Sequence, residues 1–132
     1  GITIAQVSGR VVATFRNLVT VTLCGGGRKV VVEGTAYDNQ RPHIVRINEF
    51  EVDLHPEGHV LLMQYPDRPG YVGKFGTILG NHAINIASME VGRTRKQGQA
   101  LMAFTLDDKP DAQVLQTLAR VEAVTSVHLV SL

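Results

Sequence analysis

Tyr65, Asp67, Gly70 and Asn85 are the residues whose types and spacing could do chemistry. Tyr65 ends a strand-like run, Asp67 follows it in the loop Pro66-Asp67-Arg68-Pro69-Gly70, and Gly70 opens a helical stretch. A helix start offers unpaired backbone N–H groups and a partial positive charge, which suit a carboxylate. Asp67 offers the opposite chemistry, an anion that accepts from an ammonium. Asn85, just inside the next expected strand, can both donate and accept. A free amino acid needs all three kinds of partner. The same residues have a plainer use, with Asp67 capping the helix or its turn and Asn85 satisfying a turn. Residue type alone leaves both readings open.

Other constellations fail on their spacing. Gly70-Tyr71-Val72-Gly73-Lys74-Phe75-Gly76 invites a phosphate-loop reading, but Lys74 is followed by Phe75 and the glycines match neither nucleotide fingerprint. Tight packing of the helix is the better reading. His43, His55, His59, His82 and His128 are scattered, with no pair at i,i+4 and no cysteine pair nearby, so no metal site is expected. Cys24 has no base partner in sequence and reads as a buried structural thiol. Asp107, Asp108 and Asp111 look like a helix start, and Arg93-Thr94-Arg95-Lys96 like a solvated hairpin tip. No catalytic residue can be assigned, and no cofactor site is expected in this chain.

Composition narrows the class further. The 132 residues are 44% apolar without Trp, so Val, Ile, Leu and Ala must build the core, and branched aliphatics in short runs favour strands. Thirteen basic and twelve acidic side chains are balanced across both halves, which leaves nucleic-acid binding without support. The apolar runs are far below the roughly 20 residues that cross a bilayer, and no signal peptide is evident. A lone cysteine fits a cytoplasmic protein. The chain opens abruptly in an alternating apolar stretch, Ile2 to Ser8, as the tail end of something longer would.

Two units must position the candidate residues, in an α+β arrangement. In residues 1–58 the β pattern recurs at Ile2–Ser8, Leu18–Leu23, Lys29–Ala36, His43–Ile47 and Phe50–Leu54. Gly25-Gly26-Gly27 reads as a hairpin turn and Asp38-Asn39-Gln40 as a loop. This is a small antiparallel sheet. Pro56-Glu57-Gly58 marks the boundary. In residues 59–132, His59–Tyr65 reads as a strand and Tyr71 to His82 as a helix with Val72, Phe75, Ile78 and Leu79 at helical spacing. Gly73, Gly76 and Gly80 share one face of that helix, a loss of about 1 kcal/mol each against alanine that close approach to a sheet would explain. Ile84–Thr94 and Gln99–Leu106 read as a hairpin. A helix carrying Val114, Leu115, Leu118 and Val121 follows, and Val124–Val130 is a last strand. The order is βαββαβ, the ferredoxin-like arrangement.

Along this order the sequence resembles a known family. Tyr-Pro-Asp-Arg-Pro-Gly-Tyr-Val-Gly at 65–73, Gly76-Thr77-Ile78-Leu79-Gly80, Ile84-Asn85-Ile86-Ala87 and Met89-Glu90-Val91-Gly92-Arg93-Thr94 resemble the ACT domain of bacterial D-3-phosphoglycerate dehydrogenases. Asn17-Leu18-Val19, Glu33-Gly34-Thr35, His43–Asn48 and Pro56–His59 look like the later part of that family's intervening domain.

The resemblance implies regulation. Such an enzyme oxidises D-3-phosphoglycerate with NAD at the entrance to serine biosynthesis and is inhibited by L-serine through paired ACT domains. On this basis residues 59–132 are a regulatory ACT domain and residues 1–58 the end of a substrate- or anion-binding domain. The positions matching the serine contacts are Tyr65, Asp67 and Asn85, with Ile86 beside Asn85 and backbone amides around Gly70, Tyr71 and Val72. The asparagine would reach across from a neighbouring subunit, so a homo-oligomer is implied. Arg41, His43 and Arg46 are the nearest anion-binding positions. NAD would belong to the parent enzyme, since no Rossmann fingerprint occurs in these residues. Two rival readings remain: the β segment of an iron–sulfur L-serine dehydratase, which carries a similar Met-Glu-Val strand, and an ACT module that only dimerises.

Overall fold

The chain divides into two compact units, Gly1–Pro56 and Glu57–Leu132. The computed structural model describes residues 3–8, 17–37 and 41–132, so the loop expected at Asp38-Asn39-Gln40 lies outside the described residues.

The first unit is an antiparallel meander of β1 (Thr3–Ser8), β2 (Leu18–Gly25), β3 (Arg28–Ala36), β4 (Pro42–Ile47) and β5 (Phe50–Leu54), paired in chain order. The β2–β3 turn places Gly26 at φ 56° and Gly27 at φ 73°. Two successive positive φ values match the right-handed twist of the flanking strands, and glycine adopts them without a steric cost. Strand β5 alternates as a half-buried strand should, with Phe50, Val52 and Leu54 buried and Glu51 and Asp53 exposed. Cys24 corrects the expectation of a buried thiol: it is exposed. It pairs with Lys29 beside the glycine turn, where β2 runs out into solvent.

The second unit follows the βαββαβ order. Its elements are β6 (His59–Pro66), α1 (Tyr71–Asn81), β7 (Ile86–Arg93), β8 (Gln99–Leu106), α2 (Ala112–Ala119) and β9 (Ser126–Ser131). The sheet order is β7-β8-β6-β9 with every pair antiparallel. Alternate residues Leu61, Met63 and Tyr65 of β6 and Met102 and Phe104 of β8 share one core with Phe75 and Leu79 of α1 and Val114 and Leu118 of α2. The period of two on the strands meets the i,i+4 stripes of the helices there. Each such buried side chain contributes about 1.5–3 kcal/mol of apolar transfer. Asp111 caps α2 by accepting from the Val114 N–H at 2.9 Å. By contrast, no side chain caps α1.

Two local expectations change. The strand after α1 starts at Ile86, not Ile84, because the chain first closes the helix. The His82 and Ile84 amides donate back to the Leu79 carbonyl at 3.1 and 3.0 Å, and Ala83 takes a φ of 55°. Asn85 therefore lies before β7, not inside it.

The glycines of α1 are also not there for close packing within the unit. A Cβ at Gly73, Gly76 or Gly80 would meet nothing within 4 Å. Gly76→Ala should accordingly raise the stability of the isolated chain by about 0.5–1 kcal/mol, the helix-propensity gain, in chemical denaturation at low protein concentration. A loss of stability instead would mean that another surface touches this face of α1 in solution.

Candidate functional site

The end of β6 and the start of α1 are fixed by aromatics. Tyr65, Tyr71 and Phe75 form a cluster with ring centroids 5.0, 5.3 and 5.7 Å apart, the Tyr65–Phe75 pair edge to face. The Tyr71 hydroxyl donates to the Glu122 carbonyl at 2.8 Å, tying the first turn of α1 to the chain after α2. The 65–71 loop thus crosses between two buried anchors. Gly70 closes it at φ 95°, a left-handed conformation that favours glycine. Beyond it, the Lys74 amide donates to Gly70 O at 3.0 Å, which leaves the amides of Tyr71, Val72 and Gly73 without intrahelical partners. No acidic side chain sits in this first turn.

Asp67 joins this loop to the β7–β8 hairpin tip. Its amide donates to the Gly98 carbonyl at 2.9 Å. Its Oδ2 accepts from the Gln97 amide at 3.2 Å and from Arg93 Nη1 at 3.4 Å. The Asp67 side chain is 21% exposed and Arg93 56%. Among the described residues the Asp67 Oδ1 has no hydrogen-bond partner, so the carboxylate keeps one oxygen for a further donor. Burial above all, and then the Asp67 charge, raise the Tyr65 phenol above its ordinary pKa, while Arg93 pulls the other way. Three ionisable groups therefore converge at one end of the sheet.

Asn85 is elsewhere. Its Nδ2 donates to Asp107 Oδ2 at 2.6 Å, and its carbonyl accepts from the Asp107 amide at 3.2 Å. Register explains the separation: Pro66 pairs with Gln99 and Arg93 with Ala100 at one end, while Ile86 pairs with Leu106 at the other. The eight residues of β7 put roughly 25 Å between the two ends.

The remaining expected residues fall as follows. Tyr65 and Tyr71 present their side chains to the core, so toward a ligand at the loop Tyr71 offers its backbone amide. Val72 is exposed and Ile86 is packed against the core edge. In the first unit Arg46 lies between Glu33 at 3.1 Å and Glu51 at 3.9 Å, its cross-strand neighbours. His43 Nδ1 lies 2.7 Å from Asp53, and its ring packs on Tyr37 and His55. Arg41 precedes β4, its carbonyl accepting from the Tyr37 amide at 3.4 Å. An anion on Arg46 or His43 would compete with carboxylates already in place. Among the described residues no group of three or more His, Cys, Asp or Glu side chains could hold a metal, and no helix is long and apolar enough to cross a membrane.

Arg93, Gln97 and Asp107 are the participants that residue type did not reveal. Topology carries their signal, because antiparallel order puts the β7–β8 turn, with Arg93 and Gln97, at the same end of the sheet as the end of β6, and the end of β8, with Asp107, beside the start of β7.

Residues 59–123 match the ACT domain family model. The second unit is an ACT domain. Beyond that unit, the whole chain aligns at 31% identity over 134 residues with the D-3-phosphoglycerate dehydrogenase of Archaeoglobus fulgidus, covering 100% of this chain and 25% of that protein. The D-3-phosphoglycerate dehydrogenase of Bacillus subtilis is 35% identical over 118 residues, 89% of this chain and 22% of the relative. That of Synechocystis is 34% identical over 99 residues, 75% of this chain and 18% of the relative. The chain thus spans a quarter or less of the curated relatives it matches. These similarities are consistent with an ACT-bearing C-terminal segment of a D-3-phosphoglycerate dehydrogenase.

Proposed function

We propose that this chain is the regulatory segment of a cytoplasmic, NAD-dependent D-3-phosphoglycerate dehydrogenase, and that two copies of its ACT domain bind L-serine between them. The observation that carries the reading is the carboxylate of Asp67, half used and beside an uncapped helix start. An L-serine carboxylate would take the free amides of Tyr71 and Val72, where the helix dipole favours an anion. Its ammonium would take Asp67. Catalysis and the NAD site would belong to the rest of such an enzyme.

The missing orienting group would come from a second copy. Strand β7 is a sheet edge, with the apolar side chains of Met89 and Val91 exposed at 41% and 39%. An unpaired edge is a template for another strand. Val72, Gly76 and Gly80 lie on one flank of α1, and the other flank, with Lys74 and Ile78, adjoins Val121 and Glu122. The bare flank, where a Cβ at Gly76 or Gly80 would meet nothing within 4 Å, and the β7 edge each leave room for a second backbone to approach closely. If β7 pairs antiparallel with its own copy, each Asn85 is carried to the Asp67 end of the other protomer.

Titration calorimetry on the chain with L-serine tests this. Heat of binding with one site per protomer is expected, together with a rise in the midpoint of thermal unfolding as L-serine exceeds its Kd. A folded dimer that gives no heat and no shift would leave only a dimerising ACT module.

A further inference from the structure

We propose that Arg93 competes with the ligand's ammonium for the charge of Asp67, and so sets how strongly the site prefers an amino acid to the corresponding hydroxy acid. The proposal rests on the reading of Asp67 as the ammonium acceptor. Arg93 stands at the last position of β7, and its guanidinium points to Asp67 Oδ2 at 3.4 Å, next to the Gln97 amide on the same oxygen. At that distance and with 56% of its side chain exposed, Arg93 is held loosely.

An ammonium arriving on Oδ1 meets a carboxylate whose charge is already partly neutralised by a second cation at its other oxygen. The repulsion in a solvent-exposed setting is worth on the order of a five-fold change in affinity. A ligand with a hydroxyl in place of the ammonium feels no such repulsion. The hairpin need not detach, because the Asp67 amide to Gly98 and the Gln97 amide to Oδ2 persist without the arginine. Arg93 therefore acts on affinity and selectivity while the backbone contacts keep the loop in register.

The test is titration calorimetry of wild type, Arg93→Gln, Arg93→Ala and Arg93→Lys with L-serine and with L-glycerate, its hydroxy analogue, each variant first checked for folding by circular dichroism. L-serine should bind Arg93→Gln and Arg93→Ala about five-fold tighter than wild type, Arg93→Lys should match wild type, and L-glycerate should gain nothing from either neutral variant. Unchanged or weaker L-serine binding in the neutral variants overturns the proposal, as does an equal gain for L-glycerate. If wild type binds L-serine and the neutral variants bind no tighter, the role of Arg93 alone falls. When neither wild type nor the neutral variants bind L-serine, the reading of Asp67 falls and takes this proposal with it.

Discussion

Asp67→Asn is expected to weaken L-serine binding by roughly 10- to 100-fold while leaving the fold intact, the range for losing a charge-assisted hydrogen bond. The substitution separates two duties of one side chain. An asparagine oxygen can still accept the Gln97 amide, which Asp67 Oδ2 now accepts at 3.2 Å, so the hairpin tip stays docked on the loop. The negative charge that would hold an ammonium is gone. Asp67→Ala removes both. It should lose binding at least as far and also cost the chain about 1 kcal/mol of stability, a typical net value for a hydrogen bond. Calorimetry gives the affinity, and denaturant titration without ligand gives the stability. Equal L-serine affinity in Asp67→Asn and wild type would reduce Asp67 to a turn-fixing residue, the plainer of the two roles its type allows.

Much of the ACT domain was legible because two periodicities meet in it. Phe75 with Leu79 and Val114 with Leu118 mark helix stripes, and Leu61, Met63 and Tyr65 alternate on a strand, so the same residues that build the core announce their elements. Asp111 likewise announced the start of α2, though Asp107 did not serve there; it pairs with Asn85. What stayed hidden depends on where elements stop and what lies beside them. Cys24 has a buried residue's chemistry at a strand end that meets solvent. Gly73, Gly76 and Gly80 have the composition of a packed helix face but nothing in the unit to pack against. Arg93 looked like a solubilising charge until β8 took its place between β6 and β7 and brought the hairpin end to Asp67. The candidate ligand set itself came from residue types and a family likeness; its division between the two ends of β7 comes from strand order, which no local pattern encodes.

That division supports the most discriminating expectation. If a site takes Asp67 from one protomer and Asn85 from its partner, a symmetric dimer holds two sites, each needing one residue from each chain. A dimer of Asp67→Ala chains then lacks the carboxylate at both sites, and a dimer of Asn85→Ala chains lacks the carboxamide at both. Mixing the two variants by unfolding and refolding together creates a heterodimer in which one site has lost both residues and the other has both restored. About half of a random mixture is such heterodimer, so calorimetry should recover wild-type affinity at roughly one site per four chains, against strongly weakened binding in either variant alone. Complementation of this kind cannot arise from a site within one chain, because each chain carries its own defect wherever it goes. It also separates this arrangement from general destabilisation, since a chain weakened by Asn85→Ala through its bond to Asp107 stays weakened after mixing. No recovery in a mixture proven by mass spectrometry to contain the heterodimer would remove the shared site, and with it the reason for the bare flank of α1 to face a second copy.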